Sequence, residues 1–113
     1  MLSYVNDIKL KQINKITDSI LLVYENEDQL FHMMKAQLSK IEKLYENQFG
    51  YYIIHKNYIE NVLKRKISTF PQVVIMNKEH VVAFIRGFRQ INEVIKTIEF
   101  NFRLSLCHSI NKA

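Results

Sequence analysis

The most constraining feature of this 113-residue chain is the segment 69–88, TFPQVVIMNKEHVVAFIRGF, which contains its single proline. Pro71 stands immediately before an apolar run at 72–76, and a second apolar run follows at 81–86. The four polar residues between the runs predict a turn, so the runs predict an antiparallel hairpin. Gly87 then breaks the pattern. This segment therefore defines the second half of the fold.

The first half of the chain predicts a strand, a helix and a second strand. Residues 19–24, SILLVY, form an apolar run without alternation, which suits a central strand covered on both faces. A helix is predicted to begin after Asn26, a capping residue, and to continue to about residue 46. The run YYIIH at 51–55 predicts the next strand, which a right-handed crossover would place parallel to the first.

Three more helices complete the predicted order of elements. An amphipathic helix is expected over residues 4–16, another begins at Asn57, and a final one carries the apolar residues after Ile91. The chain lacks repeats and Pro/Gly-rich linkers, so residues 1–113 are expected to form one domain. We predict an α/β fold with a four-stranded mixed sheet, helices on both faces, and a C-terminal helical extension over 101–113.

The order of elements resembles the thioredoxin-like family over about residues 3–100. The run ILLVY at 20–24 is similar to the strand before the thioredoxin Cys-x-x-Cys motif. Pro71, the following hairpin and Gly87 resemble the second half of a thioredoxin. The resemblance implies a cis-proline at position 71, and an X-Pro bond makes such a turn at low cost.

The resemblance fails at the positions that carry thioredoxin chemistry. Gln29 and His32 stand where it would place the two cysteines, and Val23 stands where it would place a buried acid. Dithiol exchange needs an attacking thiolate and a resolving thiol, and neither Gln29 nor His32 can supply one. We therefore expect a divergent thioredoxin-like chain that lacks the redox motif, is not an enzyme and needs no cofactor.

A peptide-binding groove beside Pro71 is the main functional expectation. In thioredoxins the backbone beside this proline pairs with extended peptides, and the resemblance implies the same surface here. The alternative is that Pro71 only shapes the fold while Phe31 and Phe70 fill the groove. The expected partner-binding residues are Gln29, Phe31, His32, Phe70, Pro71 and Phe88.

Metal, nucleic-acid and membrane binding are not expected. Asp28 and His32 at helical spacing supply only two metal ligands, and an exposed surface pair is the favoured interpretation. The net charge is +5, but the basic residues are scattered and the densest cluster is only 64–66, which is typical of a moderately basic surface. No apolar run reaches the roughly 20 residues that span a membrane.

The N-terminus lacks the apolar region of a signal peptide, so a cytoplasmic location is expected. The glycine-poor composition is compatible with an AT-rich bacterial or phage source.

The C-terminal residues leave two questions open. Cys107 is the only cysteine and is interpreted as a small buried or half-buried hydrophobic residue. Phe100 and Phe102 would point about 160° apart on a helix, so one sheet face cannot cover both. Either the tail folds back over the sheet edge, or it contacts a partner or a second copy in a homodimer. The candidate oligomer contacts are Phe100, Phe102 and Leu106.

These observations predict a non-catalytic interaction or adaptor module that binds a protein or peptide beside Pro71. The alternative is a degenerate thiol oxidoreductase, or a chaperone-like accessory factor, that acts through Cys107.

Overall fold

The apolar run SILLVY forms the central strand of a mixed sheet in the computed structural model, which describes residues 2–102. The elements in chain order are β1 (Ser3–Val5), α1 (Asp7–Asn14), β2 (Ser19–Tyr24), α2 (Gln29–Leu44), β3 (Gly50–His55), α3 (Lys56–Leu63), β4 (Gln72–Asn77), β5 (His80–Arg86) and α4 (Ile91–Phe102). Across the sheet the strands lie in the order β1-β3-β2-β4-β5. β1 and β2 each pair with β3 in parallel, whereas β4 is antiparallel to both β2 and β5.

The α/β prediction with a mixed sheet is confirmed, but the number of strands differs from four. The fifth strand is β1, at residues that the sequence pattern assigned to the first helix. Ser3, Tyr4 and Val5 pair with Tyr52, Ile53 and Ile54 of β3. Three residues are too few to show the alternation of a strand. Asn6 starts α1 after β1, because its side chain accepts a hydrogen bond of 2.8 Å from the Lys9 amide.

The sheet is buried on both faces because alternate residues of β2 point to opposite sides. Ile20 and Leu22 pack in one cluster with residues of α2 and α4. Leu21 and Val23 pack in a second cluster with residues of α1 and α3. All four side chains are fully buried. Helices therefore cover both faces, as the continuous apolar run predicts.

The hairpin that follows Pro71 is present, with a shorter turn than the sequence predicts. Asn77 pairs with His80, which leaves Lys78 and Glu79 as the two turn residues. Lys78 has a φ of 52°, in the left-handed region that hairpin turns of this length use. Its amide donates a 2.9 Å hydrogen bond to the Asp18 carboxylate. The hairpin is thus tied to the residue that precedes β2.

The buried ring of Phe31 is expected to contribute far more stability than its neighbour Leu30. Phe31 is fully buried, whereas Leu30 is 44% exposed. Phe31→Ala should lower the free energy of unfolding by roughly 3 to 5 kcal/mol, because it leaves a cavity in the core. Leu30→Ala should cost less than about 1 kcal/mol. Urea denaturation of the two variants checks this, and equal losses would contradict the placement of Phe31.

Two buried tyrosines connect the end of α2 to its surroundings. The Tyr45 hydroxyl donates a 2.9 Å hydrogen bond to the Glu99 carboxylate of α4. Burial raises the pKa of Tyr45 well above its ordinary value, and Glu99 raises it further. Burial also raises the pKa of Tyr51, with a smaller effect from Glu42. Both phenols therefore stay protonated in the folded chain at a pH where an unfolded chain would ionise them.

Alkaline pH should destabilise the fold through these two tyrosines. The unfolded phenols release their protons near pH 10, while the folded ones hold theirs. The stabilisation is complete below about pH 10 and is lost as the pH rises further towards the folded pKa values. The free energy of unfolding, measured by urea denaturation from neutral to strongly alkaline pH, should therefore fall. Tyr51→Phe should make that fall shallower, and an unchanged slope would contradict this account.

Candidate functional site

The topology brings three loops together at the end of the sheet where the parallel strands finish. The parallel strands β1, β3 and β2 all end there, β4 begins there and β5 ends there. Val23 pairs with Gln72, and Gln72 pairs with Arg86. We call this the carboxyl edge, defined by the loops 25–28, 69–71 and 87–90. In α/β sheets this edge is the usual place for a binding site.

The segment 69–71 reaches the carboxyl edge between the ends of β2 and β5. The Phe70–Pro71 peptide bond is cis. Pro71 is buried and Phe70 is half-buried. Gln72 is only 2% exposed, and its side-chain amide donates a 3.1 Å hydrogen bond to the Thr69 carbonyl. A buried polar side chain thus holds the turn that precedes the proline.

The first turn of α2 is capped by Asp28. Its carboxylate accepts a 2.9 Å hydrogen bond from the Phe31 amide, which satisfies one of the free donors at a helix start. The expectation that Asn26 would cap this helix is therefore wrong. Both residue types cap helices well, and only the backbone shows which one stands at the boundary. Gln29 becomes the first helical residue.

An aromatic cluster lies beneath the carboxyl edge. The Tyr24 ring stands 5.0 Å from Phe31 and 5.2 Å from the His55 ring, between ring centroids. His32 lies 5.1 Å from Phe31. Tyr4 packs edge-on against Tyr24 at 6.2 Å. These contacts join β1, β2, β3 and α2, so the edge rests on a continuous aromatic layer.

Charged groups surround this aromatic layer. The Lys56 ammonium lies 2.9 Å from the Glu25 carboxylate, and this carboxylate raises the pKa of Lys56. The same ammonium lies 5.9 Å from the centroid of the Phe70 ring. The Tyr4 hydroxyl donates a 3.2 Å hydrogen bond to Glu27. Burial raises the pKa of Tyr4, and Glu27 raises it further. The two acids thus each have a partner on a neighbouring element.

Gly87 marks the point where the chain leaves β5. Its φ is 74°, a conformation that side-chain-bearing residues rarely adopt. A Cβ there would stand 3.7 Å from the Arg89 side chain, so the backbone angle rather than lack of space requires glycine. Phe88 then packs, half-buried, against the α2 and α4 cluster.

The six predicted partner-binding residues lie near the carboxyl edge but do not form one surface. Gln29 and His32 are exposed on the first turn of α2, and Pro71 is buried. Phe31 is fully buried in the cluster that Phe88 joins. Phe70 packs with the cluster on the opposite face of the sheet. Phe31 therefore supports the edge from below, while Gln29 and His32 face solvent.

Two exposed apolar residues of α2 were missed by the sequence analysis. Leu30 is 44% exposed and Met33 is 42% exposed. Leu30 belongs to the same apolar repeat at helical spacing as Phe31 and Met34, and this repeat predicts a buried position for all three. Met33 is about 100° from Met34 around the helix and points away from the buried face, whereas Leu30 is only about 40° from Met34 and is left exposed in the first turn of α2. The helical angle could therefore have identified Met33 as exposed but not Leu30.

The two phenylalanines that are expected to contact a second copy of the chain differ in exposure. Phe100 is 84% exposed on α4, whereas Phe102 is half-buried and its ring lies 4.8 Å from that of Phe49. Leu106 and Cys107 lie outside the described residues, as does most of the predicted extension 101–113.

Between residues 2 and 102, no three His, Cys, Asp or Glu side chains converge as metal ligands. No helix in that range is long and apolar enough to cross a membrane.

Comparison with known proteins identifies the fold. A chain solved in work on the thiol resolving mechanism of yeast mitochondrial 1-Cys peroxiredoxin via glutathione/thioredoxin systems superimposes with a TM-score of 0.72. The fold is thioredoxin-like. The match covers 88% of this chain and 94% of the other, at 13% sequence identity. No protein-family model and no curated protein matches the sequence. The likeness therefore concerns the thioredoxin-like fold and not the chemistry.

The Asp28 cap gives a direct test of how the carboxyl edge is built. Asp28→Ala should lower the free energy of unfolding by about 1 kcal/mol, because the Phe31 amide loses its acceptor. Asp28→Asn is the matched control and should keep most of that stability, since asparagine caps equally well. Urea denaturation measures both variants. A loss as large for Asn as for Ala would show that the charge, and not the cap, is what matters.

Proposed function

We propose that this thioredoxin-like domain is a non-catalytic interaction module that binds an extended peptide segment of a partner protein beside Pro71. The observation that carries the proposal is the pair of exposed apolar side chains on α2, Leu30 and Met33. They lie on the helix whose start forms part of the carboxyl edge. Apolar side chains that flank a strand-pairing site are the usual source of specificity in β-augmentation.

The position of these side chains follows from the helix and from one hydrogen bond. Leu30, Met33 and Gln37 occupy one stripe of α2, at spacings of three and four residues. The Gln37 amide donates a 3.1 Å hydrogen bond to the carbonyl of Arg89. The stripe therefore runs along the loop 87–90, and its exposed apolar end leads towards the carboxyl edge.

The backbone beside Pro71 supports the strand-pairing part of the proposal. Proline has no amide hydrogen, so a pairing peptide would use the residue before it. The Thr69 carbonyl already accepts a hydrogen bond from Gln72. We therefore assign the pairing to the backbone of Phe70, whose ring lies near the Lys56 ammonium.

The first turn of α2 supports the non-catalytic part of the proposal. Gln29 and His32 are exposed at the start of this helix, where a helix N-terminus would activate a thiol. An amide and an imidazole cannot carry a disulfide through exchange. Both can donate or accept hydrogen bonds, so in this proposal they serve as polar contacts at the rim of the peptide site.

Selection of binding peptides and measurement of their affinity test the proposed function. Extended peptides selected from a random library against the full chain should bind wild type. Their affinity for the Leu30→Ala/Met33→Ala variant should be at least about tenfold lower, because the two apolar side chains that a bound peptide would cover are removed. Fluorescence anisotropy of a labelled selected peptide gives the dissociation constants under reducing conditions.

The matched control is Ile8→Ala/Ile16→Ala. Ile8 and Ile16 are 65% and 78% exposed, and they lie on and just after α1, which packs on the face of the sheet opposite α2. This control should bind the selected peptide as wild type does. Equal losses in both double variants, or a selection that yields no binding peptide, would refute the proposed groove.

A further inference from the structure

A small cleft on the α3 side of the sheet collects cationic side chains that the proposed groove does not use. Its volume is about 110 Å³, and it lies between the loop after α3 and the strands β4 and β5. Its polar and aromatic lining residues are Arg65, Lys66, Ser68, Gln72, Phe84 and Arg86. No acidic side chain lines it.

The two arginines of this cleft are held on one aromatic ring. The Arg65 guanidinium carbon lies 4.6 Å from the centroid of the Phe84 ring, and that of Arg86 lies 5.8 Å from the same centroid. Stacking on an aromatic face restricts a guanidinium while its N–H groups remain available as donors. Arg65 comes from the loop and Arg86 from β5, so the cleft depends on the folded chain.

The charge of these arginines is not neutralised by the surrounding protein. In the segment 2–102, neither guanidinium has a carboxylate within the 4.0 Å of an ion pair. The nearby acid Glu60 is engaged elsewhere, because it accepts a 2.7 Å hydrogen bond from the Ile67 amide and lies 3.9 Å from the Lys66 ammonium. Glu60 thus fixes the loop that carries Arg65 and Ser68.

The opposite wall of the cleft is also fixed by a polar group. Gln72 is 2% exposed, and its side chain is held by the hydrogen bond to Thr69. Ser68 adds an exposed hydroxyl that can donate a hydrogen bond. Arg65, Arg86 and Ser68 therefore border one small space whose walls are tied to the fold, while the ammonium of Lys66 is paired with Glu60.

We propose that this cleft binds a phosphate group, either as free inorganic phosphate or as the phosphoryl group of a small phosphomonoester. Guanidinium groups bind phosphate oxygens in a planar, bidentate manner that an ammonium cannot reproduce. The volume of about 110 Å³ is well below the roughly 300 to 1,000 Å³ of sites that enclose drug-sized ligands. One tetrahedral anion is the ligand that fits this size and charge.

The cleft and the proposed peptide groove share Gln72, which borders the cleft and holds Thr69, but the side chains substituted in the two tests lie on opposite faces of the sheet. Phe84 packs with the cluster on the α1 and α3 face, whereas Phe88 and the buried face of α2 belong to the opposite cluster. The Leu30→Ala/Met33→Ala variant should lose peptide binding but should bind phosphate as wild type does. Failure of one proposal can therefore be told from failure of the other.

Titration of the full chain with inorganic phosphate, followed by amide chemical shifts, tests the site. Saturable shifts should concentrate at Ser68, Phe84 and Arg86. Arg65→Gln and Arg86→Gln should each lower the affinity for phosphate at least about tenfold, because each removes hydrogen bonds from a charged donor. Both residues are exposed, so the variants should fold. Arg86→Lys should restore only part of the affinity, since it keeps the charge and loses the planar fork.

Arg89→Gln is the matched control, because Arg89 is an exposed arginine that lies 3.7 Å from Glu93 and outside the cleft. It should leave phosphate affinity unchanged. Parallel titration with phosphoserine shows whether the preferred source is free phosphate or a phosphomonoester. Shifts that do not saturate, or an equal loss with Arg89→Gln, would overturn the proposal. An oligonucleotide that binds more tightly than phosphate and ignores both cleft substitutions would also overturn it and favour a diffuse nucleic-acid surface.

Discussion

The burial of β2 on both faces is the constraint on which the rest of the structure depends. Its residues pair in parallel with β3 and antiparallel with β4, so the strand joins the two halves of the chain. Ile20 and Leu22 face one pair of helices, and Leu21 and Val23 face the other pair. Because the side chains alternate, a one-residue shift of this strand would exchange the two cores. The register in turn places the ends of β2, β4 and β5 at the carboxyl edge.

Much of this architecture could be predicted from the sequence, because long apolar runs and helical periodicity are strong local signals. The run at 19–24, the hairpin after Pro71 and the helix that carries Phe31 all appear as expected. β1 could not be predicted, since three residues carry too little pattern. It forms only because the edge of β3 offers Ser3, Tyr4 and Val5 hydrogen-bonding partners.

The candidate site was less predictable than the fold, because exposure depends on where a helix begins and on contacts between distant residues. The sequence identified the neighbourhood of Pro71 but assigned a binding role to Phe31, whose ring lies in the core. It passed over Leu30, which lies on the side of α2 that carries Met34 but is left exposed in the first turn of the helix. The pairing of Arg65 with Arg86 on Phe84 was equally hidden, since these residues are brought together by the loop after α3 and by β5.

The left-handed backbone of Gly87 has a consequence for how the two proposed surfaces can diverge. Arg86 lies just before it and borders the cationic cleft, while Phe88 lies just after it and packs on the opposite side of the sheet. One backbone angle therefore sets the direction of both neighbours at once. Homologous chains could exchange the side chains of either surface separately. A substitution at Gly87 would instead change the direction of the chain on both sides of it, and so would alter the two surfaces together.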